Sequence, residues 1–252
     1  MAKLSYIREN ESQTHKVEKM FNSISSKYDK LNKIITFGMD TSWRRKVCQI
    51  AGKCKPKKIL DIATGTGDMA IMLSETTADS ILAVDISEGM LMVAQQKINK
   101  LGLSSKISTS IQNAENLNEK DGVFDVASVV YGIRNFESLT KGLKEICRVL
   151  KEDGTIVILE TSVPRNRFLK FGYLLYTKYI MPKLSGILSG SPAAYKYLSD
   201  TAVNFPCGED LKIIIEDAGF ENVHICPQFF GASTIYHAKK KTISGMKYEN
   251  QR

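Results

Sequence analysis

No run of eighteen or so apolar residues occurs anywhere in the 252-residue chain, so a membrane-spanning helix is not expected. The first ten residues include Lys3, Arg8 and Glu9 and lack the apolar core of a secretory signal. The five cysteines, Cys48, Cys54, Cys147, Cys207 and Cys226, are odd in number and never form a C-x-x-C pair. They read as reduced, structural thiols of a cytoplasmic protein, with no metal site. A chain of this length buries a large core without disulfide staples. Histidine is scarce: only His15, His224 and His237 are present. Repeats and low-complexity tracts are absent. Carboxylates are too few to balance the cations, 27 against 35, which leaves a net charge of +8. The lysines are scattered, with one short run at Lys239-Lys240-Lys241 and no aromatic-interleaved basic stripe. That excludes an extended nucleic-acid groove. A solvated lysine-rich surface accounts for the charge, as does attraction to an anionic membrane face.

What is present is an α/β rhythm. Strands near 58–62, 80–85, 106–111, 124–130 and 155–161 alternate with helices near 67–75, 87–101 and 138–150. The last helix ends at Lys151-Glu152-Asp153-Gly154, where Gly154 is expected as the C-cap glycine. The pattern is that of a doubly wound, mainly parallel, Rossmann-like sheet. Upstream, residues from about 11 to 51 read as helical, with Val17, Met20, Phe21, Ile24 and Tyr28 at three- and four-residue steps. Gly38 should break this region, and a second helix should follow from about Thr41. Downstream, residues 163–207 interrupt the rhythm with an aromatic stretch that includes Phe168, Phe171, Tyr173, Tyr176 and Tyr179, then Pro182, Gly186, Gly190 and Pro192. A helix near 208–218 and two β-rich runs, 221–227 and 232–238, close the chain. We expect one domain over 1–252, with 1–52 as a helical cap and 163–207 as a substrate-covering insertion.

The chemistry concentrates at the first two strand ends. In Ile59-Leu60-Asp61-Ile62-Ala63-Thr64-Gly65-Thr66-Gly67-Asp68 a strand meets a glycine turn and opens a helix. Gly65 and Gly67 permit positive φ and close backbone approach, and the helix start offers free N–H groups. Asp85, ending the second strand, can accept from both ribose hydroxyls of a nucleoside. Gly65 to Ala70 also satisfies a relaxed dinucleotide fingerprint, which leaves a nicotinamide enzyme as an alternative. Asp61 argues against it, since a carboxylate there repels a pyrophosphate and suits a ligand with an ammonium and a sulfonium. The purely structural alternative is that Asp61 caps the next helix and the glycines make a tight turn. The run Gln112-Asn113-Ala114-Glu115-Asn116-Leu117, after the third strand, can place an amide against an adenine edge.

Residues along nearly the whole chain resemble the UbiE/MenG quinone C-methyltransferases. They include Val17, Met20-Phe21, Lys27-Tyr28-Asp29, Phe37-Gly38-Met39-Asp40 and Trp43-Arg44, then the loop from Asp61 to Asp68 and Asp85-Ile86-Ser87. Tyr131-Gly132-Ile133-Arg134-Asn135-Phe136 is the most family-specific stretch; Leu159-Glu160-Thr161-Ser162, Tyr195-Lys196-Tyr197-Leu198 and His237 follow. The resemblance implies a seven-stranded class I fold whose closing hairpin adds one antiparallel strand. It implies S-adenosylmethionine as cofactor, held at Gly65, Thr66, Gly67, Asp85, Asn113 and Ala114. It also implies methyl transfer to a ring carbon of a lipophilic, polyprenylated quinol: demethylmenaquinol to menaquinol in menaquinone biosynthesis, with the ubiquinone-precursor benzoquinol as the alternative. Two positions depart from the pattern. Val130 stands where some relatives have a serine, and Tyr131 where phenylalanine is usual.

Arg134 is the candidate catalytic residue. It stays protonated and so is no conventional base, but it can hold an oxyanion. Deprotonating a quinol hydroxyl puts electron density on the ring carbon, which then attacks the sulfonium methyl. Arg134 would stabilise that phenolate, with Asn135 orienting the same oxygen. The competing structural reading pairs Arg134 with Glu137 or Asp29. His237, Tyr195 and Tyr28 are candidates for the ring's neighbours, and none is assigned as the base. Further alternatives are methylation of a small nitrogen or oxygen nucleophile or of RNA, and a sensing domain without turnover. The Asn/Asp-Pro-Pro-aromatic turn of amino-methylases is missing after strand four. A soluble cytoplasmic protein is expected, peripheral at the inner face of the cell membrane, and a homodimer is compatible with this reading.

Overall fold

The computed structural model describes residues 12–180 and 192–242. Seven strands form one sheet in the order β3-β2-β1-β4-β5-β7-β6. They are β1 (Lys58–Ile62), β2 (Ser80–Asp85), β3 (Ile107–Ile111), β4 (Phe124–Val130), β5 (Leu150–Thr161), β6 (Phe220–Gln228) and β7 (Ser233–Lys240). Pairing is parallel from β3 through β5, whereas β7 runs antiparallel to both β5 and β6. The strand order reverses beside β1, between β2 and β4, and a doubly wound sheet opens its ligand crevice at such a point.

Central strands covered on both faces need apolar residues at consecutive positions, and β1 and β4 have them. Leu60, Ile62, Ala127 and Val129 face one layer with Leu143 and Ile146 of α6 (Leu139–Val149). Ile59 and Val126 face the other. That layer holds Trp43, Val47 and Ala51 of α3 (Met39–Lys53), Leu73 of α4 (Asp68–Leu73) and Ala94 of α5 (Glu88–Lys100). The expected helices near 87–101 and 138–150 begin one residue later, because Ser87 and Ser138 are their N-caps, each accepting from a first-turn N–H.

The N-terminal region is three helices rather than two: α1 (Gln13–Ile24), α2 (Tyr28–Ile35) and α3. A 3-10 turn at Ser25–Lys27 separates the first two, where the hydroxyls of Ser23 and Ser25 donate to Met20 O and Asn22 O. Phe37 and Gly38, both at positive φ, make the expected break. The glycine turn after α6 is corrected: Asp153, not Gly154, takes the left-handed conformation. Gly154 instead serves close packing, since a Cβ there would lie 2.8 Å from Lys151 O.

The insertion holds α7 (Arg167–Leu175), a π-helical turn at Tyr176–Ile180 and α8 (Pro192–Asn204). Pro182, Gly186 and Gly190 lie outside the described residues. A small separate core joins cap to insertion: Val17, Met20, Ile24 and Leu31 pack on Tyr197 and Leu198 of α8 and Met90 of α5. A twelve-residue helix such as α1 is marginal alone, so this burial, about 2 kcal/mol per large side chain, holds it. Asn22 Oδ1 fixes the docking by accepting from Ser87 Oγ at 2.7 Å and Gly89 N–H at 2.8 Å. The helix α9 (Glu209–Asp217) leads to β6. Among the described residues no helix is long and apolar enough to cross a membrane.

Candidate active site

Two cavities open beyond the carboxyl ends of the central strands. The first lies over β1 and β2, lined by Asp61, Gly65, Thr66, Asp85, Asn113 and Ala114 among others. Gly65 sits at φ +57° with open space where a Cβ would project. Its N–H donates to Asp85 Oδ2 at 2.8 Å, and Ser87 N–H donates to Asp85 Oδ1 at 2.9 Å. Each oxygen therefore keeps a lone-pair direction for a further donor, as a ribose diol requires. Burial pushes the Asp85 carboxyl above its ordinary range, with those N–H groups pulling the other way.

Asp61 is 1 % exposed and caps nothing on the following helix. Thr64 Oγ1 and Ser128 Oγ donate to its two oxygens, both at 2.5 Å. Burial lifts its pKa to about 6, against the two hydroxyls. A buried carboxylate with no cation in hydrogen-bond contact suits a cationic ligand. Asn135 Oδ1 is buried without a partner and lines this same cavity, not the acceptor side expected for it. The open glycine, the free capacity of Asp85, the unneutralised Asp61 and the orphaned amide together fit a nucleoside bearing a positive charge.

Thr66 and Asn113 are placed in the wall, but their side-chain oxygens are engaged. Thr66 Oγ1 donates to Asp29 Oδ1 at 2.5 Å, and Asp29 pairs with Lys97. Helix α2 is thereby latched to the glycine loop. Asn113 Oδ1 accepts from Glu115 N–H at 2.9 Å, which holds its turn and leaves the amide nitrogen as the group to meet a base. Val130 packs in the core and also lines the cavity.

The second cavity, of about 480 Å³, is mostly apolar and lies under the cap and the insertion. Phe37, Trp43, Phe168, Tyr173, Tyr176 and Phe230 contribute to its wall. Tyr28, Arg44 and Tyr131 line both cavities, so the two meet there. Backbone strain gathers at this junction: Ala63 after β1 and Tyr131 after β4 both hold positive φ. Gly132 is required beside them, since a Cβ on it would come within 2.4 Å of Ala63 Cβ.

Arg134 lines the second cavity, but neither Glu137 nor Asp29 is its partner. Its Nη1 donates to Glu160 Oε1 at 2.6 Å and Tyr131 O at 2.9 Å, and Glu160 is fully buried. Burial disfavours the guanidinium charge, and Glu160, with Tyr28 and Tyr197, outweighs it, so the net shift is upward. Arg134 Nε remains buried with no partner. Sequence reasoning assigned no role to Glu160 or Arg44; the one available signal was a carboxylate ending the apolar run Ile156-Val157-Ile158-Leu159. His237 lines neither cavity and stacks on His224, ring centroids 4.7 Å apart, on the β6–β7 hairpin. The Tyr195 side chain lies outside the described residues.

The pattern of the ubiE/COQ5 methyltransferase family matches residues 9–240. A demethylmenaquinone methyltransferase from Bacteroides fragilis is 42% identical over 228 residues, 90% of this chain and 93% of that protein. A ubiquinone/menaquinone biosynthesis C-methyltransferase from Geotalea uraniireducens is 37% identical over 227 residues, 89% and 96% of the two chains. Among solved structures, a SAM-dependent methyltransferase from Thermotoga maritima superposes with TM-score 0.61 at 22% identity, covering 89% of this chain and all of that one. One from Aquifex aeolicus reaches 0.57 at 20%, covering 79% and 89%. S-adenosylmethionine is therefore the cofactor, and the chain belongs to the ubiE/COQ5 methyltransferase family.

Proposed function

We propose that the chain transfers a methyl group to a ring carbon of a polyprenylated quinol, demethylmenaquinol foremost. The observation that carries this is the 480 Å³ apolar cavity meeting the carboxylate-lined cleft over β1 and β2 at Tyr28, Arg44 and Tyr131. An acceptor with a polar ring and a hydrocarbon tail matches such a junction. S-adenosylmethionine, when bound, supplies an electrophilic methyl on a sulfonium; Asp85, Asp61, Gly65 and Asn113 are the residues that would hold it.

The remaining work falls to the protein. Arg134 is the residue we assign to the acceptor's oxygen, with the Glu160 pair and Tyr131 O fixing its guanidinium before substrate arrives. Its field already reaches hydroxyls in this region: burial drives Tyr173 up to about 12, and Arg134 opposes it. Closure by cap and insertion excludes water, which strengthens these interactions.

The mouth of the acceptor cavity favours a position on a membrane surface. Phe168 and Phe37 are 90 % and 75 % exposed, and Phe229 and Phe230 add to this rim. Residues 163–180 carry Arg165, Arg167, Lys170 and Lys178 and no carboxylate, so an anionic headgroup layer is the complementary partner. A quinol would then enter from the bilayer. The test is mass spectrometry of quinones from a bacterial host lacking the activity. Menaquinone should appear only with this chain supplied; a methylated benzoquinone alone would select the alternative acceptor, and no methylated quinone would refute the reading.

A further inference from the structure

Arg44 occupies a position that its helix should not tolerate without reason. The buried stripe of α3 is Asp40, Trp43, Arg44, Val47 and Ala51, while the adjacent Arg45 and Lys46 are exposed. An arginine in such a stripe loses its hydration and requires compensation. It gets little. Its ion partner Asp40 stands 3.7 Å from Nε, beyond hydrogen-bond range, and Asp40 is itself engaged by Thr36 Oγ1 at 3.0 Å. Arg44 Nε is buried with no partner. The guanidinium carbon lies 5.8 Å from the centre of the Tyr131 ring, at the meeting of the two cavities.

Arg134 differs in one respect. Its charge is matched at 2.6 Å by a fully buried carboxylate, which offsets part of its field in the cavity. Arg44 is the less compensated cation. From this we infer that Arg44 supplies the charge that keeps the acceptor's ring hydroxyl ionised, while Arg134 positions the oxygen; the inference rests on the reading that the acceptor is a hydroxylated aromatic ring. Arg44 takes no proton. The hydroxyl proton leaves to solvent, and the guanidinium lowers the free energy of the anion that remains.

The surrounding groups agree with this field. Around Arg44 stand Asp40 and Cys48 on its own helix, Asp61 on β1 and Tyr131 after β4. Burial raises Asp61, Cys48 and Tyr131, and in each case Arg44 acts in the opposite direction. Its charge therefore reaches both the donor carboxylate and the junction tyrosine. Because methyl transfer consumes a phenolate and a sulfonium together, a cation beside the oxygen acts mainly by raising the phenolate fraction. A deficit in that cation should be recoverable with alkali, whereas a purely structural defect should not be.

The experiment is an absorbance titration of a nitro-substituted naphthol bound to the full chain, whose anion absorbs at longer wavelength. The wild-type protein should bind it as the anion at lower pH than solvent does. In Arg44→Gln the bound naphthol should ionise at least about tenfold less readily, with Arg44→Lys recovering part of the loss. Asp40→Asn, which removes the partial counter-ion, should move ionisation the other way and serves if Arg44→Gln does not fold. With the methyl donor kept saturating at each pH, quinol methylation by Arg44→Gln should fall near neutral pH and recover as pH rises. A midpoint indifferent to both Arg44→Gln and Asp40→Asn, or an activity loss equal at every pH, would overturn the assignment. An Arg44-dependent midpoint in a protein that methylates no quinol would instead retire the proposed acceptor and keep the anion site.

Discussion

The cleft over β1 and β2, which we assign to the donor, and the apolar cavity under the cap, which we assign to the acceptor, are built on opposite terms. In the donor cleft most polar groups are held before any ligand arrives: Asp61 by Thr64 and Ser128, Asp85 by Gly65 and Ser87, Asn113 by the Glu115 N–H. The acceptor cavity has an apolar wall contributed by cap, insertion and the β6–β7 turn, with its few charges near one end. A nucleoside of fixed shape calls for the first arrangement. A ring with a long hydrocarbon tail calls for the second, in which shape is loose and only the ring end must be oriented. The price of such a cleft is a buried carboxylate, Asp61, with no cation in hydrogen-bond contact.

The comparison is broken most severely at the acceptor end. Glu160→Gln leaves Arg134 charged, buried and unmatched, and should destabilise the fold by about 3–5 kcal/mol in urea unfolding; a loss under 1 kcal/mol would mean that water reaches the pair. The donor cleft carries its own pH signature through Asp61. Its ordinary pKa of 3.8 is raised to about 6 in the folded chain, so the native state holds that proton more tightly. The stabilisation is full below about pH 4 and is lost as pH climbs through about 6, a fall of about 3 kcal/mol from this group. Asp61→Asn should flatten that decline in ligand-free thermal or urea melts, and an unaltered slope would place the titration elsewhere. Donor affinity should rise over the same window, since a cationic ligand prefers the ionised form.

Arg134→Lys keeps the charge but loses the planar guanidinium whose Nη1 donates to both Glu160 and Tyr131 O. Turnover should drop about a hundredfold with donor affinity intact; full activity would remove Arg134 from the oxygen. Asp85→Ala should weaken S-adenosylhomocysteine binding by about 1–3 kcal/mol in calorimetry, and leave the naphthol site untouched. The mildest effect concerns the rim. Anionic vesicles should sediment the protein at low salt and release it as salt rises, and Phe168→Ser should weaken that binding; indifference to both would detach the cavity mouth from the bilayer.

The sheet was largely legible because its signal is local. Runs such as Ile81-Leu82-Ala83-Val84 specify buried strands, and Ser87 and Ser138 mark helix starts by their own hydroxyls. The glycine loop and Asp85 belong to consecutive βα units, so their meeting follows from the winding of the fold. Contacts that cross the chain were not legible. Arg134 finds Glu160 on the neighbouring strand, 26 residues away, rather than the nearby Glu137. Thr66 meets Asp29 across 37 residues, which latches the cap to the glycine loop. Asn135 follows the same rule: one step along a 3-10 turn separates Arg134, which lines the apolar cavity, from Asn135, which lines the cleft over β1 and β2.

The most direct test of the two-cavity account is a methyl-transfer assay with purified protein, demethylmenaquinol in detergent micelles and a donor carrying a deuterated methyl. Fragmentation mass spectrometry should find one labelled methyl on a ring carbon of the quinol. Label on an oxygen, or none in the quinol while the donor still binds, would contradict it.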